Sequence, residues 1–323
     1  MDGSMKRHGI VLGKFMPPHL GHLYLVDFAL GYADEVTVVV GSLAREPIPG
    51  ELRASWMREL FPQARVVHLT DENPQLPHEH ADFWGIWKRS LERIVDRPIE
   101  LVFAGEDYGG PLAQVLGAEF VPVNGLRSLV PVSGTRIREN PAAFWSYLPA
   151  PVRAHFVRRI SIFGPESTGK STLAARLAEH FQTLWVPEFA RGWLEARGGK
   201  VGLEDLPVIS RAQRASEEAL ARQSGPLLFC DTDPSATPLW SEELFGCSHP
   251  VLELTVGRYD LTLLCAPDVP WVEDCVRYRP DGGQRFWERC RLRLESEGRK
   301  MVLLSGSWEE RWKQAIEAIH SLK

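Results

Sequence analysis

The chain has 323 residues, with 37 Lys plus Arg against 42 Asp plus Glu and a formal net charge of −5. That length exceeds one ordinary core and suits two domains of roughly 150 residues each. The acidic balance argues against a nucleic-acid binder, which carries a basic excess, and no apolar run reaches the roughly 18 residues that a membrane span needs.

The start, MDGSMKRHGIVLGKF, lacks the apolar stretch of a secretory signal. All five cysteines (Cys230, Cys247, Cys265, Cys275 and Cys290) fall in the second half, with no CxxC pair. An odd number without pairing motifs argues against a disulfide framework or a zinc site and for reduced thiols in a cytoplasm.

The first half alternates strand and helix signals. HGIVLGKF reads as a strand, LGHLYLVDFAL as a helix and EVTVVVG as a buried parallel strand bounded by Gly41. ELRASWMRELF is helical, ARVVHLT a strand, HADFWGIWKRSLERIVD a helix, and IELVFAG and AEFVPVN further strands. The second half restarts with RRISIF as strand, then loop, then the helix STLAARLAEHF. TLWVPE, GPLLFCDTD, DLTLLCAPD and KMVLLSGS read as strands. LPVISRAQRASEEALARQS and SWEERWKQAIEAIHSL read as helices. Strands alternating with helices predict parallel sheets with right-handed crossovers. The proline-bearing stretch 140–159 places the boundary, giving domains 1–150 and 151–323.

Residues 164–171 read GPESTGKS, a phosphate-binding loop between a strand and a helix. Glycines let the backbone point its N–H groups at a phosphate, and the helix N-terminus adds positive potential. The loop and its flank therefore bind ATP: Gly164, Glu166, Ser167, Thr168, Gly169, Lys170, Ser171 and Thr172. Lys170 reaches the β- and γ-phosphates, and Ser171 ligates magnesium. The strand GPLLFCDTD ends on Asp231 and Asp233, and an Asp closing an apolar strand is the usual second magnesium residue. Glu188 also closes a strand. It is a candidate base, or a contact to the acceptor's hydroxyls. The stretch APDVPWVEDCVRYRPDGGQRFWERCRLR holds arginines 277, 279, 285, 289, 291 and 293 and reads as a lid over the transferring phosphoryl group.

Residues 13–22 read GKFMPPHLGH, again between strand and helix. His19 and His22 have no evident third partner for a metal. Imidazoles at a helix start suit hydrogen bonds to an α-phosphate under attack, and Lys14 adds fixed charge. In VPVSGTRIREN, Ser133 and Thr135 can cap a helix, while Arg136 and Arg138 donate to β- and γ-phosphates.

GKFMPPHLGH with VSGTRIR resembles the HxGH and ISxTxxR motifs of the nucleotidyltransferase superfamily. The domain order, the junction FWSYLPAPVRAHF and the later VPEFAR, FCDTD and APDVPWVED segments resemble the NadR-like bifunctional family. That resemblance covers the chain from about Lys6 onward. It implies an α/β fold: a Rossmann-like nucleotidyltransferase, then a P-loop NTPase-type kinase, both with parallel sheets. It implies a nicotinamide mononucleotide (NMN) adenylyltransferase joined to a ribosylnicotinamide kinase, with ATP as co-substrate and Mg2+ as cofactor. The small-molecule partners would be ATP, nicotinamide riboside, NMN and NAD.

The resemblance also assigns residues. Gly13, Lys14, Phe15, His19, His22, Ser133, Thr135, Arg136 and Arg138 bind ATP in the first domain, with His22 the leading catalytic group. Trp84 or Trp87 stacks on nicotinamide. Lys170, Glu188 and Asp231 are the catalytic residues of the kinase, and Ser171 with Asp231 holds magnesium. Glu188, Arg191 and Asp233 contact the riboside. Some family members carry an N-terminal helix-turn-helix; the sequence begins at the first strand, so no repressor function and no nucleic-acid or membrane partner is expected. A homo-oligomer is compatible with this reading. Cys275 occupies the hinge of the lid segment, where a small flexible residue is expected. The rival enzyme reading is a pantetheine-phosphate adenylyltransferase joined to a dephospho-coenzyme A kinase. A nucleotide-sensing regulator without turnover is the rival of another class.

Overall fold

The computed structural model describes residues 7–123, 131–255, 257–272 and 283–322. Backbone contacts divide the chain into two units, Met1–Val152 and Arg153–Lys323. No helix among the described residues is long and apolar enough to cross a membrane.

The first unit runs β1 (His8–Gly13), α1 (Leu20–Tyr32), β2 (Glu35–Gly41), α2 (Gly50–Leu60), β3 (Arg65–Leu69), α3 (Phe83–Ile94), β4 (Leu101–Ala104), α4 (Gly109–Leu116), β5 (Glu119–Pro122) and α5 (Gly134–Glu139). Its five strands lie in the order β3-β2-β1-β4-β5, and every pairing is parallel. Side chains alternate across a strand, so a continuous apolar run buries both faces. Val11, Val38 and Phe103 enter the core on one face, and their neighbours Ile10, Val39 and Val102 enter the core on the other.

The strand order reverses between β1 and β4. Ligands of open parallel sheets bind at such a reversal, beyond the carboxyl ends of the strands. Both loops that the motifs mark as phosphate-directed border the cavity found there.

Two helices differ from the sequence-based expectation. α3 begins at Phe83 instead of His80, because residues Pro77–Glu79 form a separate 3-10 turn ahead of it. α4, GGPLAQVL, was unanticipated: it opens on two glycines and a proline, which conceal a helix start, and ends at Gly117 in the left-handed region (φ 69°).

The second unit contains β6 (Arg158–Phe163), α7 (Lys170–His180), β7 (Leu184–Val186), α8 (Phe189–Glu195), α9 (Leu206–Ala221), β8 (Leu227–Asp231), α10 (Ala236–Phe245), β9 (Leu261–Cys265), α11 (Gly283–Ser296), β10 (Met301–Leu304) and α12 (Trp308–His320). A short helix, α6 (Ala150–Phe156), carries the point of division. The strand order is β10-β9-β6-β8-β7, again with parallel pairings. Ile160, Ile162, Leu177, Phe229 and Leu263 fill one face, and Phe163, Leu239, Leu264, Phe286 and Leu294 the other. β6 is therefore central, and the loop leaving its carboxyl end is flanked by the ends of β8 and β9.

Candidate functional sites

Beyond β1 and β4 lies a cavity of about 900 Å³. His19 caps α1: its Nδ1 accepts from the Gly21 N–H at 3.1 Å. The His19 and His22 rings lie 3.8 Å apart, and Phe15 meets His22 edge-on at 5.0 Å. Burial lowers the His19 pKa to about 4. Burial, aided by His19, holds His22 well below its ordinary value. Both rings are therefore neutral at neutral pH, and His22 Nδ1 is buried without a hydrogen-bond partner among the described residues. His22 also lines the cavity, and a neutral imidazole N–H can donate to an oxyanion.

The loop that presents these rings is tightly held. Phe15 is buried at φ 48°, a backbone conformation that a bulky residue keeps only when its surroundings impose it. Arg53 on α2, fully buried, donates to the carbonyls of Lys14 (2.6 Å), Ile48 (3.0 Å) and Gly41 (3.3 Å). It also pairs with Glu46 at 2.6 Å, whose other oxygen meets Lys14 Nζ at 2.9 Å.

The second cluster meets the first directly. Ser133 caps α5, accepting from the Arg136 N–H at 3.4 Å. Arg138 donates to the Met16 carbonyl at 2.5 Å and to Thr135 Oγ1 at 3.2 Å. Arg136 lies over the Phe144 ring at 4.6 Å. Gly13, Lys14, Phe15, His19, His22, Ser133, Thr135, Arg136 and Arg138 all line the one cavity, together with Trp84 and Trp87. Trp87 is fixed there by its Nε1–H donating to the Pro74 carbonyl at 2.9 Å.

In the second unit the loop after β6 has the backbone that a phosphate cradle requires. Gly164 (φ 136°), Ser167 (φ 60°) and Gly169 (φ 81°) all lie at positive φ. A Cβ on Gly164 would lie 2.7 Å from the Cys265 carbonyl oxygen. Lys170 opens α7, and its Nζ donates to the Pro165 carbonyl at 2.7 Å. Gly164, Glu166, Ser167, Gly169, Lys170, Ser171, Thr172, Glu188 and Arg191 line a narrow cavity of about 120 Å³. Thr168 is buried behind it, its hydroxyl on the Pro165 carbonyl at 2.9 Å.

Asp231 and Asp233 diverge. Asp231, closing β8, is buried beside Lys170 and the Ser171 hydroxyl; burial raises its pKa against the pull of both. Its Oδ1 has no hydrogen-bond partner among the described residues. Thr232, at φ 64°, turns the chain. Asp233 is then taken up by Arg299 (2.7 Å), Ser161 (2.5 Å) and the Ser235 N–H (2.8 Å). Glu188 precedes α8, and its carboxyl pKa is raised by burial first, with Lys170 opposing and Asp231 reinforcing. A second, mainly apolar cavity of about 200 Å³ shares Glu166, Glu188, Thr232 and Trp240 with the first and continues to Leu206, Ile209 and Asp233. Glu188 thus lines both a narrow charged cavity and an apolar slot.

In the arginine-rich segment the described arginines stand beside carboxylates. Arg289 pairs with Glu242 (2.7 Å) and Glu243 (2.5 Å), Arg291 with Glu288 (2.5 Å), and Arg293 with Glu253 (2.6 Å) and Glu297 (2.5 Å). Arg285 approaches Glu243 at 4.0 Å. Arg277, Arg279 and the hinge at Cys275 lie outside the described residues.

Sequence reading missed several lining or supporting groups: Glu46, Arg53, Tyr108 and Trp240. Tyr108, whose hydroxyl donates to the Leu12 carbonyl at 2.6 Å, follows β4 at the strand-order reversal, so its position in GEDYGG carried a signal. Arg53 carried a fainter one, as a charge among the apolar positions Ala54, Trp56 and Met57 of α2.

Residues 159–311 match a family model described as an AAA domain. Over 298 residues the chain is 30% identical to the trifunctional NAD biosynthesis/regulator protein NadR of Escherichia coli (strain K12), covering 84% of this chain and 72% of that protein. Over 161 residues it is 27% identical to a nicotinamide-nucleotide adenylyltransferase of Thermococcus kodakarensis, 48% of this chain and 85% of that one. Among solved structures it is similar to a NadR protein in complex with NAD and AMP-PNP, with a TM-score of 0.80 at 24% identity, covering 98% of this chain and 96% of the other. That likeness shows the two-body fold.

Proposed function

The chain belongs to the NadR family, and we propose that it catalyses two successive ATP-dependent steps of NAD biosynthesis. It is a ribosylnicotinamide kinase and a nicotinamide-nucleotide adenylyltransferase. Residues 151–323 phosphorylate nicotinamide riboside to NMN, and residues 1–150 adenylylate NMN to NAD with release of pyrophosphate. The observation that carries this reading is the first cavity, in which two separate phosphate-directed loops and two tryptophans converge.

In the first unit the NMN phosphate attacks the α-phosphorus of ATP in line. His19 and His22, kept neutral by burial, donate to the phosphate oxygens as charge builds on them. Lys14, Arg138, Ser133 and Thr135 hold the β- and γ-phosphates that depart as pyrophosphate. Trp84 and Trp87 offer faces for the nicotinamide ring.

In the second unit the 5'-hydroxyl of the riboside attacks the γ-phosphorus of ATP. Glu188, between the phosphate cavity and the apolar slot, accepts the hydroxyl proton. Lys170 stabilises the transferring group. The apolar slot takes the base and sugar, with Asp233 in its lining and Arg191 lining the adjoining narrow cavity. Magnesium fits the donor set of Ser171 and Asp231, given the unpartnered buried oxygen of that carboxylate. Ser171 and Asp231 would hold the ion, which would supply positive charge against the phosphates. A cytoplasmic location supplies the ATP that both steps consume.

The test is the purified chain with Mg2+, ATP and nicotinamide riboside, followed by chromatography. NMN and then NAD are expected. Turnover of dephospho-coenzyme A without any NMN would replace this reading with the pantetheine rival, and nucleotide binding without any turnover would replace it with the sensor.

A further inference from the structure

The bottom of the kinase phosphate loop is occupied by a single buried cation. Arg311 lies in the first turn of α12 and is 1% exposed. Its guanidinium reaches three separate loops at the carboxyl ends of the strands. Nη1 donates to the Thr168 carbonyl at 3.3 Å, in the phosphate loop after β6. Nη2 donates to the Ala266 carbonyl at 2.9 Å and pairs with Asp268, both after β9. Nε donates to the Gly306 carbonyl at 3.0 Å, after β10, and Asp268 returns to the same turn by accepting from the Gly306 N–H at 2.7 Å. That turn delivers Trp308, whose ring lies against Gly169: a Cβ there would be 1.9 Å from Trp308 Cη2.

We propose that Arg311 is a positioning residue for phosphoryl transfer, holding the Thr168–Gly169 peptide in the orientation that turns the loop's N–H groups towards the triphosphate. A planar peptide has its carbonyl and the following N–H on opposite sides. Fixing the Thr168 oxygen at the buried guanidinium therefore fixes the direction of the Gly169 N–H. A phosphate cradle made of backbone N–H groups works only if they converge before the ligand arrives. Four acceptors on one rigid fork suit arginine; a lysine ammonium cannot satisfy them in that plane. The role is separate from Lys170, which meets the phosphates, and it rests on reading this unit as an ATP-dependent kinase.

The experiment uses the full chain as wild type, Arg311→Lys, Arg311→Ala and Asp268→Asn. AMP-PNP affinity is measured by calorimetry with NAD saturating, so that the first unit is filled. Kinetic constants for riboside phosphorylation and NMN adenylylation are measured beside it. Arg311→Lys should weaken AMP-PNP binding and raise the KM for ATP, each by about tenfold or more, as expected for a misplaced cradle. NMN adenylylation should stay within about twofold, because its groups lie in the other unit. Millimolar guanidinium should restore part of the lost affinity in Arg311→Ala, where the vacated space matches that ion.

Wild-type affinity and KM in Arg311→Lys, with only a lower melting temperature, would overturn the proposal. If the Arg311 variants do not fold, Asp268→Asn decides: it loosens the fork and should weaken AMP-PNP in the same direction, and unchanged affinity there overturns the idea. A wild-type chain that binds AMP-PNP yet phosphorylates no riboside would defeat the kinase reading alone, leaving the affinity comparison to judge Arg311.

Discussion

Arg53 holds Lys14 at both ends: its Nη1 donates to the Lys14 carbonyl at 2.6 Å, and its Nη2 pairs with Glu46, which meets Lys14 Nζ at 2.9 Å. Backbone and side chain of the phosphate-directed lysine are thus set by one fully buried guanidinium. Removing one partner of a buried pair costs about 3–5 kcal/mol, because the other charge is left uncompensated. Arg53→Met should therefore destabilise the first unit by that order. Arg53→Lys, which keeps the charge but loses the fork, should lower kcat/KM for adenylylation by roughly 100-fold. Riboside phosphorylation should be unchanged. Steady-state kinetics of both reactions on one preparation check this, and equal losses in both would defeat it.

The two reactions should also separate at their phosphate contacts. Lys170→Ala should abolish riboside phosphorylation and spare NMN adenylylation. His22→Ala should do the reverse, with a loss of about 10²- to 10³-fold, the cost typical of one transition-state donor. The measurement is NMN formation from riboside and NAD formation from NMN, assayed separately. Loss of both activities from either substitution would contradict independent sites.

That the phosphate-directed residues gather around a cavity in each unit is legible in the sequence, because each set lies in one contiguous loop beside a helix. Arg53 and Arg311 are not, because an arginine that binds carbonyls underneath a loop looks in sequence like any other arginine on a helix. The converse happened in α11, where arginines 289, 291 and 293 suggested phosphate contacts. There Glu288, Glu295 and Glu297 stand three or four positions away, and helical neighbours at that spacing pair with each other. Asp231 and Asp233 close one strand end in the sequence, where the resemblance gives Asp231 to magnesium and Asp233 to the riboside. The left-handed turn at Thr232 separates them, sending one to Ser171 and the other to Arg299.

Glu188 gives the kinase a pH signature. Burial raises its pKa, so a higher pH is needed to remove its proton before it can act as a base. The acid limb of kcat for riboside phosphorylation should lie above the range of an ordinary glutamate. Glu188→Gln should abolish that limb and lower kcat by about 10²- to 10⁴-fold. A pH–rate profile with its acid limb intact in Glu188→Gln would remove Glu188 from the base role.

His19 gives the first unit a pH-dependent stability. Its folded pKa is about 4, against 6.5 for the free side chain. Between those values the unfolded chain binds a proton that the folded chain refuses, so stability falls as pH falls. One such group contributes a slope of about 1.4 kcal/mol per pH unit in that window. Urea unfolding at pH 7, 6 and 5, following the transition that shifts with NAD, should show this slope. His22, also held below its ordinary value by burial, contributes in the same direction. His19→Gln should therefore remove about 1.4 kcal/mol per pH unit of the slope and leave the rest, and an identical slope in the variant would assign the effect elsewhere.

Gly134 tests whether the two phosphate loops must touch. A Cβ there would lie 2.4 Å from the Met16 carbonyl oxygen, a backbone atom with no flexible end to yield. The same oxygen accepts from Arg138 at 2.5 Å, so relieving the clash also shifts that arginine from its partner. Gly134→Ala should cost about 1–3 kcal/mol of stability, as overpacking does, and lower adenylylation by roughly 100-fold through misplacement. Gly31→Ala is the matched control: its Cβ meets nothing within 4 Å on the same unit's α1, so it should add about 0.5–1 kcal/mol as a helix glycine replaced by alanine. Comparable adenylylation in the two variants would mean that contact between the loops at Met16 is dispensable, and that the cavity tolerates the HxGH and SGTRIR segments moving apart.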